Sequence, residues 1–307
     1  MSTITDEIKD SFKNGTSLVK LIYINLGVFV VVKLIYVVFF LISPSLGLLQ
    51  EKNVYFQNNI LTYLMLPADS AKLLLRPWTL ITYMFLHFEF LHILFNMLWL
   101  FWFGRIFLHY LNEKQLINTY LLGGFAGGLL YILAYNIFPG LASEVSIAQA
   151  LGASAAVTAI VIAVSFYAPN FEVYIPLIGP VKIKYIALLF IVTDLLQIAS
   201  ENAGGHIAHL GGALYGYFFA MQLKQGKDIG RYFGNFLDNI SRLFKKKRHL
   251  KVTYHKAATR TDDLEYNKSK LQQQREIDKI LDKIAKSGYD SLTKREKETL
   301  FKMSSKS

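Results

Sequence analysis

The chain alternates between long apolar runs and short polar breaks. Six runs, roughly 21–42, 86–108, 116–138, 150–168, 183–200 and 206–223, each hold about 20 mainly apolar residues, the length a helix needs to cross a bilayer. The break at 43–85 is longer and carries its own pattern: N-I-L-T-Y-L-M-L-P, then A-K-L-L-L-R-P-W, amphipathic and too broken to span. That composition places it in the membrane interface, with Trp78 and Tyr83 at headgroup depth beside Arg76; an exposed loop is the alternative. The third run carries Gly123, Gly124, Gly127 and Gly128, and the sixth Gly212 and Gly216. Glycines four apart let helix backbones approach closely, so these runs read as one tight bundle. Past residue 223 the pattern becomes that of a soluble protein. Ile277, Ile280, Leu281 and Ile284 form a helical stripe ending before Gly288, and Thr293 with Glu296 opens a second helix as a capping box. The predicted architecture is all-α: a tail at 1–20, a six-helix membrane domain at 21–223, a basic linker at 224–260 and a small helical hairpin at 261–307.

Composition agrees with the membrane reading: 53% hydrophobic residues, 18% charged and a mean hydropathy of +0.32 are too apolar for an ordinary soluble protein. The net charge of +11 suggests nucleic acid until it is located. Residues 1–223 hold 11 Lys/Arg against 11 Asp/Glu, and residues 224–307 hold 22 against 11. The excess is therefore a property of the tail. The basic segments 1–20, 105–115, 169–184 and 224 onward lie on one side of a six-span topology, while 139–149 and 200–205 have no Lys or Arg; only the long 43–85 loop, with Lys52, Lys72 and Arg76, breaks the pattern. The positive-inside bias makes the basic side cytoplasmic, with both termini there. The expectation is a multi-pass bacterial inner-membrane protein without a signal peptide, whose Lys245–Arg248 run touches anionic lipid. Nucleic acid is not an expected partner, and the sequence is silent on oligomeric state. With no cysteine, thiolate metal sites and a cysteine nucleophile are excluded.

Strongly polar groups at membrane depth are costly, so each is a candidate for function: Lys33, His92, Asn96, Ser154, Asp194, His206 and His209. His92 and Asn96, four apart, share a helix face with Phe95 beside them. Ser154 lies among Gly152, Ala153, Ala155 and Ala156 at the expected start of the fourth span, where free amides and the helix dipole point outward. All except Lys33 and Asp194 fall near the non-cytoplasmic face. A serine, histidines and an amide donor at one depth are the parts of a nucleophile, base and oxyanion site. Asp194 is expected to enter from the opposite side, which favours a Ser–His dyad over a triad. Taken singly, a serine amid Gly and Ala is more often a packing residue. His87, His92, His206 and His209 suggest a metal as a minor alternative, but H-E-x-x-H is absent and no cofactor or metal is expected. A Lys33–Asp194 pair in a small transporter is a third reading.

At these residues the chain resembles the rhomboid family of intramembrane serine proteases. Three motifs match in order: H-x-x-x-x-H-x-x-x-N at His87, His92 and Asn96; G-x-S at Gly152 and Ser154; and A-H-x-x-G-x-x-x-G at Ala208, His209, Gly212 and Gly216. The resemblance covers about residues 20–223. It implies Ser154 as nucleophile and His209 as general base, with His92, Asn96 and the Ser154 amide stabilising the oxyanion. Gly152 would keep the site open, and His87 and Phe95 would support it. His206 lacks the glycines that fix the frame of His209. Two positions depart from the family pattern: Ala155 replaces a glycine of G-x-S-G, and Thr158 stands where many members carry an aromatic. The implied activity is cleavage of transmembrane segments of protein substrates; a catalytically inactive rhomboid-like protein that binds transmembrane helices is the alternative.

Overall fold

The computed structural model describes residues 3–43, 52–176, 178–200, 202–244 and 260–304. It divides into two units, Met1–Phe244 and Lys245–Ser307. In the first, an amphipathic helix α1 (Ile4–Asn14) precedes α2 (Ser17–Ile42); α3 (Lys52–Asn59), α4 (Ser70–Leu75) and α5 (Thr79–Thr82) fill the long first loop; then come α6 (Phe90–Tyr110), α7 (Glu113–Ile137), α8 (Ser154–Tyr167), α9 (Ile183–Leu196), α10 (Ala203–Lys224) and α11 (Arg231–Phe244). Helices thus occupy all six predicted apolar runs. Among the described residues, only α2, α6 and α7 are both long and apolar enough to cross a membrane by length and composition. The others depart for a physical reason. α8 and α9 have 14 residues each, about 21 Å at 1.5 Å per residue. α10 is long enough, but His206, His209 and its glycines dilute its hydropathy.

The core is built around α8, whose residues Ala155 to Ser165 are all buried. It lies against α7 and α10 at backbone distance. A Cβ on Gly212 would fall 2.1 Å from the Ala155 carbonyl oxygen, and one on Gly216 would fall 2.3 Å from that of Ala159. Both positions therefore require glycine. Polar links tie the outer elements in. Asn25 on α2 donates to the Tyr120 hydroxyl at 3.0 Å, and that hydroxyl donates to the Met84 carbonyl at 2.9 Å. Glu113 accepts from the Ser17 amide at 2.9 Å and its hydroxyl at 2.6 Å, capping α2.

The first loop folds onto this core through a two-residue pairing, β1 (Leu66–Pro67) with β2 (Gln149–Ala150), in antiparallel register Leu66↔Ala150. Arg76 donates to the Thr62 carbonyl at 3.2 Å, and Trp78 Nε1 to the Tyr63 carbonyl at 2.7 Å. Leu74, Leu75, Trp78 and Ile81 remain exposed, whereas Tyr83 is buried with its hydroxyl donating to the Gly124 carbonyl. Tyr83 is thus a core residue and not part of an interfacial aromatic belt. A short hairpin, β3 (Glu172–Ile175) with β4 (Gly179–Lys182), joins α8 to α9.

The predicted linker 224–260 contains α11, a helix where the basic composition suggested a linker. α11 and the turn before it dock on α7: Asn118 donates to the Gly230 carbonyl at 2.9 Å, and Lys114 pairs with Asp238 at 2.6 Å. Lys245–Arg248 lie outside the described residues. In the second unit, α12 (Arg260–Ser287) is followed by α13 (Lys294–Ser304). Gly288, at φ +77°, ends the first helix. The Thr293 amide donates to Glu296 at 2.7 Å, and Lys283 reaches the same carboxylate at 2.9 Å. Those bonds, led by that from the Thr293 backbone, hold the Glu296 carboxyl well below its ordinary value, at about 2.

Candidate active site

Ser154 is the first residue of α8. Its backbone amide and hydroxyl therefore sit at the positive end of a buried helix dipole. The approach to it is fixed by Gly152, whose φ of +124° is open to glycine and strained for other residues. The Gly152 amide donates to the Tyr83 carbonyl at 2.9 Å. A Cβ on Gly152 would lie 2.8 Å from His92 Nε2 and 3.8 Å from Ser154 Oγ. The missing side chain is the space in which the imidazole and the hydroxyl approach each other.

Ser154, His209, His92, Asn96, Phe95 and Thr158 line one cavity of about 770 Å³. Five of these were singled out from sequence as site residues, across three separate helices. Beneath the cavity, His87 is fully buried and acts as a bracket. Its Nε2 accepts from the Ala153 amide at 3.3 Å and lies 3.2 Å from Asn96 Nδ2. Asn96 Nδ2 also donates to the His92 carbonyl at 3.0 Å. One Asn96 amide hydrogen is thereby engaged by the His92 carbonyl, and the other points between His87 and the cavity. His87 and His92 stack edge to face with centroids 5.1 Å apart.

The departures from the family pattern fit this packing. Ala155 is buried, and its methyl occupies the space that a Cβ on Gly127 would enter, 2.6 Å away. One glycine's absence on α8 is matched by a glycine on α7. Thr158 is buried at the cavity wall and leaves His209 without an aromatic from that position.

His209 is held instead by Asp194. The His209 Nδ1 lies 2.9 Å from Asp194 Oδ1, and Asp194 is buried. Asp194 therefore does not stand on the opposite side as expected, and a carboxylate lies beside His209 where a Ser–His pair without one was expected. Asp194 is eleven residues into α9, about 17 Å from its start, and so stands near the same end of the bundle as the N-terminus of α10. A helix this short carries a residue near its end to the far side from where it begins. The same carboxylate oxygen lies 2.8 Å from His206 Nδ1. No hydrogen bond joins Ser154 to His209 in this structure; the two meet across the cavity. Lys33 does not approach Asp194. Its ammonium sits 4.0 Å from the Phe88 ring centroid, which removes the basis for an ion-paired transporter.

The cavity and the residues that line it fall within a segment shared with known proteins. Residues 75–225 match the rhomboid domain family. That segment is a rhomboid domain. It is also similar to the RHOMBOID-like protein 12, mitochondrial, of Arabidopsis thaliana, at 28% identity over 200 residues, covering 62% of this chain and 59% of that protein. The chain thus matches less than two thirds of its relative's length. Residues 260–306 match a separate family of unknown function (DUF6576). The chain is a membrane protein. A bacterial inner membrane finds no support in a relative named for mitochondria.

Proposed function

We propose that this rhomboid chain is an intramembrane serine endopeptidase acting on transmembrane segments of other proteins. The observation that carries the reading is the meeting of Ser154, at the start of a buried helix, with an Asp194-anchored His209 across one cavity. In this reading His209 Nε2 takes the Ser154 proton as Oγ attacks the scissile carbonyl. Asp194 accepts the Nδ1–H bond, which selects the tautomer with a free Nε2 lone pair and stabilises the imidazolium that forms. The Ser154 amide, with His92 and Asn96, receives the oxyanion. The imidazolium then protonates the leaving amine, and a water activated by the same base hydrolyses the acyl-enzyme.

Shape supports chemistry inside the membrane. A helix of about 21 Å is shorter than the ~30 Å hydrocarbon layer, so α8 places Ser154 below the surface, where the cavity must bring water. Six spans with both termini cytoplasmic remain the topology proposed from the charge pattern, with the cavity opening to the opposite face. α9 contacts α6 through Phe190 and Trp99, whose rings lie 4.7 Å apart, while Leu188, Leu189, Leu195 and Leu196 are exposed. This thinly packed helix is the side through which a substrate helix enters. The substrate must unwind to present its backbone, so cleavage favours segments with helix-weakening residues near that face.

A fluorophosphonate probe and a co-reconstituted model substrate test the proposal. Wild type should be labelled and cleave; Ser154→Ala and His209→Ala should do neither. Cleavage undiminished in Ser154→Ala would remove the assignment. Absence of labelling in folded wild type would favour a helix-binding protein without catalysis.

A further inference from the structure

Asp194 receives two imidazoles where the proposed reaction uses one. His206 Nδ1 and His209 Nδ1 lie 2.8 and 2.9 Å from the same Oδ1, and the three potential ligand atoms fall within 4.8 Å of one another. The histidines are three apart on α10, so their rings project from one face, with centroids 5.9 Å apart. The side chains of Asp194, His206 and His209 are 8%, 13% and 22% exposed. The cluster is enclosed, yet His209 borders the cavity and gives an ion a way in. His206 has no part in proton transfer from Ser154.

Two imidazole nitrogens and one carboxylate suit a borderline divalent ion, whereas magnesium and calcium favour oxygen shells. We propose that Asp194, His206 and His209 form a zinc site whose occupancy silences the protease. The ion takes the place of the protons that now bridge both Nδ1 atoms to Asp194. A neutral imidazole bound to zinc through Nδ1 carries its single proton on Nε2. His209 then presents an N–H to Ser154 and has no lone pair with which to accept the hydroxyl proton. The silencing rests on the protease reading; the binding does not.

The test uses the full chain in detergent, stripped with EDTA and titrated with Co²⁺ as a spectroscopic probe and Zn²⁺ as competitor. The expected result is one tetrahedral Co²⁺ per chain, displaced by Zn²⁺ and retained in Ser154→Ala. In His206→Asn, affinity should fall by about tenfold or more with the melting temperature held. Zn²⁺ should stop cleavage by wild type and EDTA restore it. In His206→Asn, the Zn²⁺ needed to halve that variant's own metal-free rate should rise by the same factor. Absence of a 1:1 Co²⁺ complex in folded protein, or binding unaltered in His206→Asn, overturns the site. Binding to Ser154→Ala and wild type without any cleavage keeps the site and removes the protease reading; cleavage without metal binding does the reverse.

Discussion

Individual residues divide the proposed chemistry between groups that react and groups that hold them. Asp194 belongs to the second kind. Its carboxylate is buried and bonded to His209, so Asp194→Asn keeps the shape and removes the charge that selects the tautomer. The expected result is a kcat lower by about 10²–10⁴-fold with KM little changed. A fall in melting temperature with kcat preserved would reduce Asp194 to an anchor between α9 and α10. Gly152 makes a sharper case. Gly152→Ala combines a φ of +124° with a methyl 2.7 Å from His92 Cε1, so labelling of Ser154 by a fluorophosphonate should fall at least tenfold even where the protein remains folded. Unchanged labelling would mean that His92 moves aside freely.

Elements set the precision of the site through how closely they pack. α8 and α10 meet where Gly212 faces the Ala155 carbonyl, one residue after Ser154. Gly212→Ala puts a methyl into backbone that cannot yield without separating the two helices, and a cost of about 1–3 kcal/mol is expected. Thermal unfolding in detergent should show that loss together with reduced activity, since the separation displaces His209 from Ser154. A variant of unchanged stability would show that the helices are more loosely held. In the C-terminal unit, Glu296 links α13 to Lys283. Its carboxyl is depressed from the ordinary 4.5 to about 2, so its contribution is complete above pH ~4.5 and disappears as pH falls through about 2. An NMR titration of Glu296 should show the low value, and Lys283→Met should move it upward.

Across the whole molecule, the membrane core is neutral by formal count and the tail carries the charge. The absence of cysteine makes the proposed topology directly measurable. Ser143→Cys and Ser200→Cys should react with an impermeant maleimide from the non-cytoplasmic side; Asn14→Cys and Ser287→Cys should react from the cytoplasmic side only. Any pair labelled from the opposite face would break the six-span arrangement. Liposomes containing phosphatidylglycerol should bind residues 224–307 more strongly than neutral ones if the Lys245–Arg248 run meets lipid.

Much of this protein was legible in its sequence, because burial in a membrane writes itself as long apolar runs and every polar exception is costly. The helix positions, the glycine-lined contacts of α7 and α10, and the gathering of Ser154, His209, His92 and Asn96 followed from period, spacing and resemblance. α11 did not, although Phe233, Phe236, Leu237 and Ile240 stand at helical spacing, because the basic composition around that short stripe reads as a linker. Tyr83 likewise looked interfacial, and only the fold turned it inward onto Gly124. Asp194 is the clearest division between the two kinds of knowledge. Sequence showed a charge within an apolar segment; the short α9 decided its depth, and the reversal into α10 decided its partners. A one-dimensional pattern records which groups are expensive to bury, whereas the pairing that offsets the cost depends on where separate helices end.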